Sequence, residues 1–440
     1  MIRQLTAALF AFLVAAPALA AKVVPVNAIP GVVAWQVEDH TAPVIVVSAA
    51  FPAGSAYDPA GKSGMAALAA YCLNEGAGPM NAEAFQADLA AHGIRLEMVP
   101  SHDTLVIKLT TLSANAKEAF KLLGLALQKP RFDADAVTRV RLQMMQALDM
   151  GREDPATVAD RGFHALYFGP YTYGRPVDGN TAGLAAISPQ DLRGFARSHW
   201  VRGGLKIAVA GDITTAALGP LLQSTFGALP DTTPPTPPAP IRPGAPGQHI
   251  LPMAVPQPAI VFGAAGPLRS DRDYMAAMIA NYILGGAGAD SRLTRELRET
   301  RGLTYDVSID LVPYRRAGLV IGTVQTRKSA VRQTITAVRE VMRKFAVDGP
   351  TEGELADAKL YLNGSFPLAF TSNADIASQL NLFQVLGLPI EYLDRRAALV
   401  GAVSLDDVRR AAKRLFDPDK LTIVVAGSVS SGNTEPADSQ

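Results

Sequence analysis

The sequence predicts an α+β fold in two homologous domains, each a β-sheet covered by helices on one side. Three observations predict it. Matching segments recur at one offset, a proline-rich stretch lies between them, and strands and helices come in blocks rather than in strict alternation. The repeat is clearest at the two ends. Ser188-Pro189-Gln190-Asp191-Leu192 opens a helical pattern that leads to Leu205-Lys206-Ile207-Ala208-Val209-Ala210-Gly211. Ser404-Leu405-Asp406-Asp407-Val408 does the same before Leu421-Thr422-Ile423-Val424-Val425-Ala426-Gly427, at an offset of 216 in both pieces. Each copy reads as a serine cap with acidic residues in the first turn, a helix, and a β-branched strand stopped by glycine.

The halves also begin alike. Val44-Ile45-Val46-Val47 and Ile260-Val261-Phe262 are short apolar runs, each followed by an alanine-rich helical pattern. Leu105 to Thr110 reads as a strand. Asp133 to Met150 reads as a long helix with Val137, Val140, Met144 and Leu148 along it. Between Pro230 and Pro258 fall eleven of the 32 prolines. That composition predicts a semi-rigid tether that neither pairs into a sheet nor continues a helix. The expected boundaries are 21–229 for the first domain, 230–257 for the linker, 258–430 for the second domain and 431–440 for a flexible tail.

Composition excludes several function classes. With 41 Lys+Arg against 40 Asp+Glu in 440 residues, the chain has no electrostatic footprint for nucleic acid or an acidic membrane. One cysteine, Cys72, rules out an internal disulfide framework and a cysteine-rich metal site. Residues 1–20 read as a secretory signal: Arg3, an apolar run from Leu5 to Ala16, and the small-x-small pattern Ala18-Leu19-Ala20. Cleavage there leaves a neutral mature chain. No later apolar run approaches the roughly 18 residues of a spanning helix. The expected location is therefore periplasmic or secreted, with no integral membrane segment.

The most specific motif opens the second half. It runs Leu284-Gly285-Gly286-Ala287-Gly288-Ala289-Asp290-Ser291-Arg292-Leu293, then Leu297-Arg298-Glu299-Thr300-Arg301-Gly302-Leu303-Thr304-Tyr305-Asp306-Val307. Asp290 and Ser291 read as caps of a short helix with Leu293 and Leu297 on one face, ended by Gly302. Leu303, Tyr305, Val307, Ile309 and Leu311 then alternate along a strand. On these residues alone, Tyr305 shares the parity of four aliphatics and reads first as core, and Arg298 as a partner of the helix dipole. Gly285, Gly286 and Gly288 read either as a tight helix-to-helix turn or as a surface an extended peptide can approach closely.

This segment resembles the arginine–tyrosine segment of the pitrilysin/insulinase family of zinc metallopeptidases, which includes the mitochondrial processing peptidase. The resemblance extends through the duplicated halves, the linker, Asp154-Pro155, Tyr171-Thr172-Tyr173-Gly174-Arg175-Pro176 and Leu362-Asn363-Gly364-Ser365. It implies the mitochondrial-processing-peptidase-like fold for each half, with four such domains enclosing a chamber, often as two chains. It also implies that Arg298 and Tyr305 reach the substrate backbone and help stabilise the oxyanion of the tetrahedral intermediate.

The family's metal motif is H-x-x-E-H on the first long helix, where two histidines one turn apart bind zinc and the glutamate activates water. The matching stretch here is Gly64-Met65-Ala66-Ala67-Leu68-Ala69-Ala70-Tyr71-Cys72-Leu73. Ala67 stands in place of the first histidine, Ala70 of the glutamate and Tyr71 of the second histidine. Counting back from Asp154-Pro155 puts the distal ligand at Ala147. No two of the six histidines, His40, His92, His102, His164, His199 and His249, lie three to five residues apart. His102-Asp103 reads as a turn, Cys72 as a small core residue, and His199-Trp200 as packing. The expectation is a chain without its own cofactor that supplies the arginine–tyrosine pair to a homologous H-x-x-E-H subunit. That partner would hold the zinc, and the substrate would be a peptide. The other expectation is a peptide-holding or scaffold protein of the same fold.

Overall fold

The computed structural model describes residues 22–236, 243–286 and 291–428. The expected signal segment, the expected tail 431–440 and Gly288 lie outside them. The first half contains strands β1 (Val24–Ile29), β2 (Val32–Glu38), β3 (Val44–Phe51), β6 (Arg95–Pro100), β7 (Leu105–Leu112) and β8 (Lys206–Gly211). A two-residue hairpin, β4 (Gly76–Ala77) with β5 (Met80–Asn81), stands apart. Its helices are α1 (Met65–Tyr71), α2 (Ala82–Ala91), α3 (Ala116–Gln128), α4 (Ala134–Met150), α5 (Pro155–Phe168), α6 (Thr181–Ala185), α7 (Pro189–His199) and α8 (Thr215–Phe226). The second half contains β9 (Gly247–Leu251), β10 (Ala259–Ala265), β11 (Val307–Pro313), β12 (Gly318–Gln325) and β13 (Thr422–Ala426). Its helices are α9 (Tyr274–Gly285), α10 (Val331–Asp348), α11 (Glu352–Gly364), α12 (Asn373–Val385), α13 (Tyr392–Gly401) and α14 (Leu405–Leu415).

The sheet orders are β1-β2-β8-β3-β7-β6 and β11-β12-β10-β13-β9. Read from opposite ends, they match strand for strand, with β1 the additional strand. In both, one pairing is parallel, β2 with β8 and β9 with β13, and the next one inward is antiparallel. The repeat at 216 is therefore a structural duplication. Ser188 and Ser404 both close a capping box, each bonded reciprocally to the aspartate three residues on.

The linker differs from expectation at one point. Gly247–Leu251 pairs with β13 in parallel register, Thr422 opposite Gly247 through Ala426 opposite Leu251. This pentapeptide contains no proline. Pro246 and Pro252 bracket it, and it lies at the sheet edge, where flanking prolines remove no ladder bond. Other parts of the tether are docked too: Gly203 N donates to Thr232 O at 3.2 Å and Gly244 N to Tyr167 O at 2.7 Å.

Each half's own helices cover one face of its sheet. Ile45, Val47, Ile107 and Val209 pack with Leu68, Phe120, Val140 and Leu192 in the first core. Ile260, Phe262, Val324 and Ile423 pack with Ile279, Val338 and Val408 in the second. The opposite faces are covered by exchange. Helix α5 lays Ala159, Phe163 and Tyr167 on Ala259, Val261, Val424 and Ala426 of the second sheet. Helix α12 returns Ala377, Leu380 and Phe383 to Val37, Val46, Ala208 and Ala210 of the first. Asn381 Nδ2 lies 3.1 Å from Ser48 O and 2.9 Å from Lys206 O, and Gln384 Nε2 donates to Ile207 O at 3.1 Å. Alternate residues of one strand thus face different halves' helices, which is why these strands read as unbroken apolar runs. Among the described residues no helix is long and apolar enough to cross a membrane.

Candidate functional site

Helix α1 carries the positions where the H-x-x-E-H motif would place its chemistry. Ala67 and Ala70 are both 0% exposed, so their methyl groups are sealed in the first core. Tyr71 is half-buried and donates to Asp178 Oδ1 at 3.3 Å; burial pushes its phenol up to about 12. The distal position, Ala147, is on a different face of α4 from the buried row. Ala147 lies exposed on α4, whereas Leu148 is buried in the core that holds Ala67 and Ala70. The helical phase of α4 turns Leu148 inwards, one residue after the position counted from Asp154. Neither side chain carries a donor atom, and zinc has no ligand set here. Among the described residues no group of three or more His, Cys, Asp or Glu is arranged to hold a metal. Cys72 is buried, and desolvation pushes its thiol up to about 12, which leaves it unreactive at neutral pH.

The arginine–tyrosine segment is built differently from the expected α-helix and strand. Leu293 and Leu297, both fully buried, anchor a wide π-helical turn, Thr294–Thr300. Its bond from Arg301 N to Glu296 O, 3.1 Å, spans five residues, and Arg301 also pairs with Glu296 and Glu340. Ser291 Oγ lies 3.3 Å from Thr294 N and caps the start; Asp290 lies outside the described residues. Such wide turns recur at functional sites because they displace a side chain from its α-helical direction. Gly302 follows at φ +57°, a left-handed conformation that favours glycine.

The strand then begins at Val307, not at Leu303. Leu303 is buried, but Tyr305 is 89% exposed. The parity argument for a core tyrosine fails because the Thr304 hydroxyl bonds Asp306 O at 2.6 Å and accepts from Asp306 N at 3.1 Å. That local turn replaces the ladder and swings Tyr305 outward.

Arg298 and Tyr305 open into one cavity of about 1110 Å³ between the halves. The second half contributes Thr304, Asp306, Gln325 and Arg327. The first half contributes Thr157, Asp160, Arg161 and His164 of α5, and Arg175 to Asp178. Arg298 and Arg161 enter no ion pair among the described residues, whereas Asp160 is engaged by His164 at 3.3 Å. Burial alone would depress the His164 pKa, but that carboxylate raises it. Behind the wall, Asp103 joins the halves: Tyr173 donates to it at 2.6 Å and Arg315 N at 2.8 Å. The turn expected at His102-Asp103 is present between β6 and β7, and it is also an interdomain fastener that no periodicity announced.

Gly285 and Gly286 do not line this cavity. A Cβ on Gly285 would lie 3.0 Å from a Leu293 methyl, and one on Gly286 only 2.7 Å from Tyr282 Cα. Close packing at the end of α9 requires them, neither lines the cavity, and Gly288 lies outside the described residues.

Two buried groups beside this region oppose each other in pH dependence. Asp58 accepts from Gly64 N at 2.7 Å and Ala66 N at 2.8 Å, yet burial pushes its carboxyl up from 3.8 to about 7. Its contribution to stability is complete below 3.8 and is lost as pH rises towards 7. Burial lowers His102 from 6.5 to about 4, so its contribution is complete above 6.5 and is lost as pH falls towards 4. Relative to the wild type, Asp58→Asn therefore gains stability as pH rises through this window, and His102→Gln loses it. Each slope is at most about 1.4 kcal/mol per pH unit. Urea titrations at about pH 5 and pH 7 check both signs.

Two sequence-family models match: "Insulinase (Peptidase family M16)" over residues 33–180 and "Peptidase M16 inactive domain" over 186–362. The chain belongs to peptidase family M16. A crystal structure of a peptidase M16 inactive domain from Pseudomonas fluorescens is 29% identical, with a TM-score of 0.86 over 94% of this chain and all of that one. "Non-peptidase homolog YmxG" of Helicobacter pylori is 26% identical, covering 89% of this chain and 90% of its own. "Mitochondrial-processing peptidase subunit beta" of Blastocladiella emersonii is 24% identical, covering 77% and 74%.

Proposed function

We propose that this chain is the metal-free subunit of an exported two-chain zinc peptidase, and that it supplies Arg298 and Tyr305 to peptide hydrolysis. One contrast carries the reading. The metal positions are closed by Ala67 and Ala70 at 0% exposure, while Tyr305 stands 89% exposed on an open cavity that Arg298 also lines. A large aromatic exposed to that degree contributes nothing to the core, and an arginine on the same cavity with no ion pair among the described residues is ready for an anion. An oxyanion developing on a peptide carbonyl suits a guanidinium and a phenol together. The homologous H-x-x-E-H subunit would supply zinc, general base and water.

Mixing the chain with an exported H-x-x-E-H relative from the same source tests this. Zinc-dependent cleavage of a quenched fluorescent peptide is expected from the mixture and not from this chain alone. A mixture no more active than the zinc subunit by itself would end the proposal. Stoichiometric zinc in the isolated chain would end it as well. The name of the Helicobacter pylori relative favours a second reading, a peptide-holding protein without hydrolysis. Calorimetric binding of peptide with no gain of activity on mixing would select it.

A further inference from the structure

Tyr305 has no hydrogen-bond or ring partner among the described residues, so only its backbone can fix where the phenol sits. That backbone is held in an unusual way. Strands β11 and β12 pair from Val307 opposite Val324 onwards, and the ladder does not extend back to Tyr305. Side chains take its place. The Thr304 hydroxyl lies 2.6 Å from Asp306 O and 2.7 Å from Gln325 O. The Thr326 hydroxyl donates to Leu303 O at 2.7 Å and accepts from the Thr334 hydroxyl at 3.1 Å. Arg327 Nη1 donates to Gly302 O at 3.3 Å. All three threonines are buried.

We infer that Thr304 and Thr326 are positioning residues for Tyr305, forming a clamp that replaces the strand ladder. A regular ladder would hold the same segment but would turn Tyr305 with the parity of Leu303 and Val307, into the core. Hydroxyl-to-carbonyl bonds satisfy the polar groups while leaving the backbone free to bend outward at Tyr305. The clamp also reaches Arg298, because Leu303 N donates to Leu297 O at 2.8 Å in the turn that carries it. Thr326 thus grips the residue that ties the two halves of the pair together. Thr334, on α10, fixes the orientation of that hydroxyl from behind. The role in turnover rests on the proposed function; the clamp itself does not.

The test uses Thr326→Val, which keeps shape and removes the hydroxyl, with Thr304→Val as the second variant should the first fold poorly. Hydrogen exchange at the Leu303 and Asp306 amides is expected to accelerate about tenfold or more, with the rest of β12 unchanged. In the reconstituted heterodimer, kcat falls roughly 10- to 100-fold, the scale of a small misplacement of a catalytic group. Thr326→Ser restores it. In a Tyr305→Phe background, Thr326→Val adds no more than about twofold. Unchanged amide protection overturns the clamp whatever the activity does. A loss that multiplies fully with Tyr305→Phe, or that serine does not rescue, overturns its positioning role. A fully active Tyr305→Phe protein overturns the proposed function instead, and exchange rates then still decide the clamp.

Discussion

Arg298→Ala and Tyr305→Phe are each expected to lower the turnover of the proposed heterodimer by roughly 10- to 1000-fold, the range for losing one oxyanion donor. In the proposed role both groups act on charge that develops only in the transition state, so the loss is expected mainly in kcat. Stability does not change with it. Both side chains are exposed, and neither belongs to a core cluster. The two variants also separate the roles of charge and phenol. Arg298→Lys keeps the charge but loses the planar fork, so it restores part of the loss, whereas a purely electrostatic role would be restored in full. If both variants keep full activity while the mixture remains zinc-dependent, the pair is not the contribution this chain makes. The partnership then rests on other surfaces of the cavity.

Phe163→Ala destabilises the whole chain by about 3–5 kcal/mol, the cost of a large cavity at a fully buried aromatic. Phe163 belongs by sequence to the first half, yet its ring packs in the cluster of Val261, Leu319 and Val424 on the second sheet. It seats over Gly263, where a Cβ would come within 2.7 Å of the ring. Helix α12 makes the reciprocal contact through Leu380, which is also 0% exposed. Neither half can bury both faces of its sheet alone. Denaturant unfolding should therefore show one transition, shifted to a lower midpoint in Phe163→Ala with an unchanged slope. Two separable transitions in the wild type would show that the exchanged helices do not couple the halves.

How much of this was legible depends on the range of the interactions involved. The capping boxes at Ser188 and Ser404 were readable because a cap is a contract between residues three apart. Helix α4 was readable because Val137, Val140, Met144 and Leu148 keep one helical phase, and all four are buried. That same phase leaves Ala147 out of step with the buried row. Strand β9 was missed because local proline content outweighed the repeat. The offset of 216, applied to β2, reaches 248–254 and overlaps it. Tyr305 was placed on a strand by parity, and the signal against this was Thr304, two residues before Asp306 in a turn-forming position. Of the cavity's first-half wall, Arg175 and Pro176 fall in a motif the resemblance includes, but the part on α5 carried no sequence signal. Asp160, Arg161 and His164 look like the ordinary polar face of a helix.

The sequence by itself determined the duplication, the α+β order of elements, the loss of metal-ligating side chains at Ala67, Ala70 and Tyr71, and the presence of an arginine and a tyrosine seven residues apart. These are matters of composition, spacing and local hydrogen bonding. Only the tertiary structure decided that α5 and α12 change places, that Tyr305 leaves the core, and that Arg298 faces the first half across a shared cavity. The reason is physical. Which helix covers the second face of a sheet is settled by burial of surface from residues some two hundred positions apart. A ladder gives way to buried threonine hydroxyls only where strand β12 and helix α10 bring Thr326 and Thr334 against Leu303.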